Sequence, residues 1–216
     1  MDIKQAIIDR LLLTKRSNME IVIDYMNKNG FFKYQCHSHH RYVGGLAEHA
    51  WQTYQIAMRL NAENRVENPD SPILDEDSIA IAALLHDFCD CSGMRDIGKR
   101  KHGKRSTDML KALGFKLNQQ EFLAIRFHLK LSIYRNHFLY NDALNSQLRK
   151  LVHKADCISA KKRKGYDDIH AKQDPQRDFA TQFVSALETI GITVYDEETK
   201  EQMRRDDLID YLKDKV

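Results

Sequence analysis

The sequence predicts an all-α bundle, and three observations carry that prediction. Of 216 residues only three are Pro and nine are Gly, too few chain-breaking residues for a turn-rich β fold. Apolar residues recur at three- and four-residue spacing in nearly every segment. Helix-start and helix-stop residues stand at the ends of those segments. A chain of this length supports one sizeable core, and the expected organisation is a single all-α domain over residues 1–216.

Taken in order, Ile3, Ile7, Ile8, Leu11 and Leu12 make the first helix, over 2–15. Ser17-Asn18-Met19-Glu20 has the Ser-x-x-Glu spacing of a capping box and opens the second, which runs to Lys28 and stops at Asn29-Gly30. Phe31 to Tyr42 reads as an aromatic-rich loop in which His37, His39 and His40 either pack the helices or line an entrance. After Gly44-Gly45, the residues Leu46, Ala50, Thr53, Ala57 and Leu60 form an inward stripe that His49 borders, and Trp51 reads as a packing residue. Asn61 to Asp75 is polar with two Pro, hence a loop. Asp75 or Asp77 caps the next helix, where Ile79, Ala83 and His86 form one row and Ala80, Leu84 and Asp87 form its neighbour. That helix is apolar nearly all round, which puts it at the centre.

Residues 88–101 read as a polar loop, and Ser106 to Leu113 as a helix closed by Gly114. Asn118-Gln119-Gln120-Glu121 is a second capping box, opening a helix with Phe122, Ile125, His128 and Leu129. From Asp142 a longer helix carries Leu144, Leu148, Leu151, Ala155 and Ile158, with Asp156 beside its stripe. Asp174-Pro175 starts a helix that runs through Thr189. Ile192 to Tyr195 is a short extended piece, and Asp196 to Val216 a charged helix that fits either packing on the core or pairing with a second copy. The helices within 2–29 and 174–215 are expected to pack on the central part.

Composition narrows the function classes. Thirty-four basic against 31 acidic residues give a net charge of +3, too balanced to point to nucleic acid. No apolar run is long enough to span a bilayer. The first ten residues are amphipathic and charged, with no apolar core or cleavage site of a signal peptide, so the expected compartment is the cytoplasm. Cys36, Cys89, Cys91 and Cys157 form no Cys-x-x-Cys pair, which argues for free thiols over a structural zinc knuckle. Lys161 to Lys164 reads as a solvated helix end.

The chemistry gathers at Leu84-Leu85-His86-Asp87. A chain with ten His and twenty-one Asp holds about one His-Asp pair by chance, so context decides. Here the pair ends an apolar helix, and His49, His102, His128 and Asp156 also fall on or beside inward stripes. These are nitrogen and carboxylate donors, a set that suits Mn, Fe, Ni, Co, Zn or Mg better than a sulfur-bound zinc. Carboxylates bridge, so either one or two divalent ions fit. Beside a phosphate, such an ion polarises the ester and lowers the pKa of a bound water. Five of the seven residues from Lys99 to Arg105 are basic. Lys104 and Arg105 at a helix start, and Arg126 and Lys130 flanking His128, are candidate phosphate contacts, with a solvated surface as the alternative.

Gly44-Gly45-Leu46-x-x-His49, then Leu84-Leu85-His86-Asp87, then Lys154-Ala155-Asp156 follow the ordered His…His-Asp…Asp pattern. In this the chain resembles the HD-domain superfamily of metal-dependent phosphohydrolases over about residues 34–162. The resemblance implies an HD-domain-like helical bundle. It makes His49, His86, Asp87 and Asp156 the ligands of one metal and gives His86 and Asp87 the catalytic role. In members with two metals the aspartate bridges, and His102 and His128 stand where the further ligands fall. Two departures stand out. Many members carry a His-His pair where this chain has His128-Leu129. Many place a Lys soon after His-Asp, where this chain has Phe88-Cys89-Asp90-Cys91, leaving Lys104 and Arg105 to substitute.

The implied function is hydrolysis of a phosphomonoester or nucleotide by a metal-activated water. Two other readings stay open. The missing Lys suggests a non-catalytic HD module that binds a nucleotide or signalling ligand. The basic runs suggest a phosphodiesterase acting on nucleic acid, which the near-neutral charge opposes.

Overall fold

The computed structural model describes residues 2–36, 39–68, 74–92, 99–129 and 131–162. They fall in the first of two compact units, 1–164 and 165–216. His37, Lys130 and every element expected beyond residue 162 lie outside the described residues.

The described chain is helical throughout, without a strand, as expected. Its helices are α1 (Ile3–Leu13), α2 (Met19–Lys28), α3 (Gly45–Glu67), α4 (Glu76–Leu85), α5 (Lys99–Ala112), α6 (Gln119–Arg126), α7 (Tyr140–Asn145) and α8 (Gln147–Lys162). Short 3₁₀ turns occupy Phe88–Ser92 and Leu131–Tyr134.

The apolar sequence of α4 decides the architecture. A helix without a polar face must be covered on all sides, and α1, α3, α6 and α8 all pack on it. Every residue from Ser78 to Leu85 is buried. Each Ile or Leu there contributes about 1.5–3 kcal/mol of transfer free energy. A smaller cluster of Leu123, Phe127, Leu131, Tyr134 and Ala143 forms beside the main core.

The predicted caps hold at two helices. Asp75 accepts from Ser78 N at the start of α4, and Asn118 and Glu121 close a full capping box on α6. The box expected from Ser17 does not form. The N-cap of α2 is Asn18, in the left-handed region (φ 65°), with no side-chain cap bond. Its amide instead donates to Gly114 O at 2.8 Å, tying α2 to the end of α5. A tertiary partner has outbid a local one.

Three boundaries also differ from expectation. The loop expected at 61–75 is helical through Glu67, because Ala62 to Glu67 holds good helix formers and Asn61 is buried. The polar loop expected at 88–101 contains a 3₁₀ turn with Phe88, Cys89 and Cys91 buried, and α5 already starts at Lys99. The long helix expected from Asp142 is two helices. Ser146 is extended (ψ 116°) and ends α7, while its hydroxyl accepts from Arg149 N to cap α8 and donates to Gln120 Oε1.

Gly103 sets how closely α5 approaches α6. A Cβ there would lie 2.4 Å from Arg126 O and 2.5 Å from Ile125 O. Those are backbone atoms that cannot rotate away, so Gly103→Ala must push the helices apart. The expected cost is about 1–3 kcal/mol, read as a lower urea midpoint at unchanged slope.

Candidate metal centre

Helix ends position the site. The last carbonyls of a helix lack intrahelical partners, and two rings satisfy them here. His86 is the C-cap of α4, and its Nδ1–H donates to Ala83 O at 2.8 Å. His128 follows the end of α6, and its Nδ1–H donates to Ile125 O at 2.7 Å. Both rings are thereby fixed with Nε2 as the free donor atom. His49, fully buried in α3, reaches across to α8, where its Nδ1 lies 3.1 Å from Ser159 Oγ. Asp156 sits one turn before Ser159 on α8.

Four donor atoms converge from these elements. His49 Nε2 lies 3.1 Å from His86 Nε2, 3.2 Å from Asp156 Oδ1 and 3.7 Å from Asp87 Oδ2. His86 Nε2 lies 3.3 Å from Asp87 Oδ2 and 4.0 Å from Asp156 Oδ1. The other oxygen of Asp87 faces a second set: Oδ1 accepts from His102 Nε2 at 2.7 Å and lies 3.4 Å from His128 Nε2. Asp87 therefore joins two groups, His49-His86-Asp156 and His102-His128, through its two oxygens.

The donor set fits a divalent cation. With both Nδ1 atoms directed elsewhere, the Nε2 atoms of His49 and His86 face each other, with two carboxylate oxygens alongside. One proton satisfies one pair; a divalent cation satisfies all four atoms. The electrostatics point the same way. Burial opposes charge on His86, but Asp87 overcomes it and raises the pKa to about 9. Burial opposes charge on His102 too, and Asp87 raises it to about 12. Against burial, His86 and His102 hold the Asp87 carboxyl well below the usual carboxylate range. Likewise the adjacent His49 and His86 rings bring Asp156 to about 2. Burial lowers His128 to about 4, leaving it neutral and ligand-ready. Burial pushes the Cys89 thiol up, and Cys89 forms a further group of possible donors with Asp90 and His102.

Below pH 9 a cation entering this site must displace the proton of His86, and at the second set that of His102. Apparent metal affinity is therefore expected to rise with pH through 6–9, by up to about tenfold per unit for each proton displaced. Calorimetry in buffers of different ionisation enthalpy checks this, since displaced protons add a buffer-dependent heat.

All six predicted donors thus come together: His49, His86, Asp87, His102, His128 and Asp156. The predicted cations behave differently. Lys104 is exposed and pairs with Asp108, one turn on, rather than with the donors. Arg105 is half-buried. Arg126 holds its guanidinium 5.4 Å from the Phe122 ring centre and 5.8 Å from that of Phe127. Four supporting residues escaped the sequence reading. Ser159 and Gln52 lie on the His49 side; Asp90 Oδ1 lies 3.6 Å from His102 Nδ1; and His153 Nδ1 donates to His128 O. Ser159, Gln52 and Asp90 stand three residues after Asp156, His49 and Asp87, and that spacing was their only signal.

Fold and site together define a class: an all-α protein that gathers buried His and Asp side chains from several helices into a cluster compatible with a divalent metal. Comparison with known proteins sharpens it. The HD domain family matches residues 46–161, just over half the chain and all six donors. The chain belongs to the HD-domain family, part of a superfamily of metal-dependent phosphohydrolases. Nothing matches it among curated proteins or among solved structures. Among the described residues no helix is long and apolar enough to cross a membrane.

Proposed function

We propose that this protein is a metal-dependent phosphohydrolase acting on a phosphomonoester or a nucleotide. The observation that carries this reading is the division of Asp87, with Oδ2 toward His49 and His86 and Oδ1 toward His102 and His128. His49, His86, Asp87 and Asp156 would hold one ion, and His102 and His128 with Asp87 a second. When bound, a divalent cation polarises a phosphate oxygen and lowers the pKa of a water.

The chain's own residues do the rest. The carbonyls of Ala83 and Ile125 fix the rings of His86 and His128, so no reorganisation is needed when charge develops. His102, whose Nε2–H donates to Asp87 Oδ1, would serve as an acid beside a bound phosphate, or would help hold a second ion. Arg105, three residues after His102, and Arg126, two before His128, are the cations this reading assigns to phosphate; Lys104 and Lys130 are secondary candidates.

The test is phosphate release by the full chain across nucleotides and simple phosphate esters, with Mn, Fe, Ni, Co, Zn and Mg each supplied after chelator treatment. Release that returns only with metal is the expected result. A second reading, a non-catalytic module binding a nucleotide, is favoured by the stretch Phe88-Cys89-Asp90-Cys91 after Asp87, which lacks the phosphate-directed Lys that many members carry soon after His-Asp. Tight nucleotide binding by calorimetry without turnover would select it.

A further inference from the structure

A hydrogen-bond chain behind the donors fixes two imidazoles at once. Gln52 follows His49 by one turn of α3. Its Nε2 donates to Glu48 Oε1 at 3.2 Å; a carboxylate only accepts, so the amide orientation is set and Oε1 faces the other way. Glu48 is itself held by the Tyr42 hydroxyl at 2.7 Å. On one branch, Ser159 Oγ donates to Gln52 Oε1 at 3.2 Å. Having spent its hydrogen there, Ser159 must accept from His49 Nδ1 at 3.1 Å. His49 Nε2 is left bare toward the metal position.

The second branch repeats the logic. His40 Nε2 lies 3.2 Å from the same Gln52 Oε1 and must donate to it. In its neutral form His40 then has an accepting Nδ1, which lies 3.1 Å from His39 Nδ1. His39 therefore carries its hydrogen on Nδ1 and has a bare Nε2. Its ring centre is 4.4 Å from that of His49, and one ring nitrogen from each of His39, His40 and His49 lies within 4.8 Å of the other two.

The backbone is built to hold this arrangement. His40 is fully buried in the left-handed region (φ 51°), a conformation uncommon outside Gly. Its carbonyl occupies the space of a side chain at position 45, 1.9 Å from where a Cβ would stand, so Gly45 is required. Strain held in a buried loop beside a site is a mark of function.

We propose that Gln52 sets the tautomers of both His49 and His39, and that His39 is a further nitrogen donor carried onto the metal centre by the 39–45 loop. This rests on the reading of His49 and its neighbours as metal ligands. The probe is cobalt(II), titrated into the full metal-stripped chain by calorimetry and by its visible absorption. His39→Ala is expected to weaken cobalt binding about tenfold and to change the spectrum. Gln52→Leu is expected to weaken it by about 10–100-fold. His39→Phe keeps a ring against His49 and removes the donor, so it should match His39→Ala. In the metal-free protein, imidazole ¹⁵N correlation spectra should show Nδ1–H on His39 and His49 and Nε2–H on His40.

Cobalt affinity and spectrum unchanged in both His39 variants, with binding lost in His49→Ala, would overturn the donor role. Wild-type tautomers retained in Gln52→Leu would overturn the hub. A wild-type chain that binds no cobalt would sink the metal reading and this one with it. Cobalt bound without any phosphate release would spare this inference and count against the hydrolase alone.

Discussion

Asp87→Asn is expected to lower metal-dependent phosphate release by at least about a thousandfold, roughly 4 kcal/mol at the transition state. The size follows from position. Asp87 turns one oxygen to each donor group, with Oδ2 3.3 Å from His86 Nε2 and Oδ1 2.7 Å from His102 Nε2. An amide of the same shape offers one oxygen and turns an N–H donor toward the other group. It also removes the negative charge that a divalent ion needs between two neutral imidazoles. Phosphate release and bound metal per chain are measured together, after chelation and reloading. Loss of both is the expected result. Full metal content with full activity in Asp87→Asn would refute the bridging role. His128→Ala provides the contrast, since it strips the second group and leaves His49, His86 and Asp156 intact.

The site was legible where residue type and helical period coincide. His86 and Asp87 close an apolar helix, and nothing in a purely structural α4 explains ionisable groups there. His49 and Asp156 became legible through their order along the chain. The supporting polar residues did not, for a physical reason. Gln52 and Ser159 are ordinary on an isolated helix and acquire a role only when α3 and α8 pack face to face. The Ser17 capping box failed similarly, since the Asn18 amide found Gly114 across the fold. Phe88, Cys89 and Cys91 were hidden among charges because a 3₁₀ turn of five residues is too short to show a period. Lys104 was read as a candidate phosphate contact at a helix start, whereas it lies inside α5. Its partner Asp108, four residues on, was visible in the sequence and marks the pair as a helix-surface contact.

Arg16→Met is expected to cost about 3–5 kcal/mol of stability, because it strands a buried charge. The Glu121 side chain has no solvent exposure, and both oxygens are committed. Oε1 accepts from Arg16 Nη1 at 2.7 Å and Ser78 Oγ at 2.9 Å. Oε2 accepts from Arg16 Nη2 at 3.0 Å and Asn118 N at 2.8 Å. The reverse change is milder. Glu121→Gln leaves Arg16, whose side chain is 29% exposed and can turn to water, so about 1–2 kcal/mol is expected. Urea midpoints of the two variants give the order directly, and a larger loss in Glu121→Gln would refute the pairing argument. The consequence reaches the metal centre. Ser78 lies in the first turn of α4, and Asn118 and Glu121 start α6. The far ends of these same helices carry His86-Asp87 and His128. Arg16 thus clamps the starts of two helices whose far ends carry donors of one site. In Arg16→Met, cobalt affinity should fall before global unfolding begins.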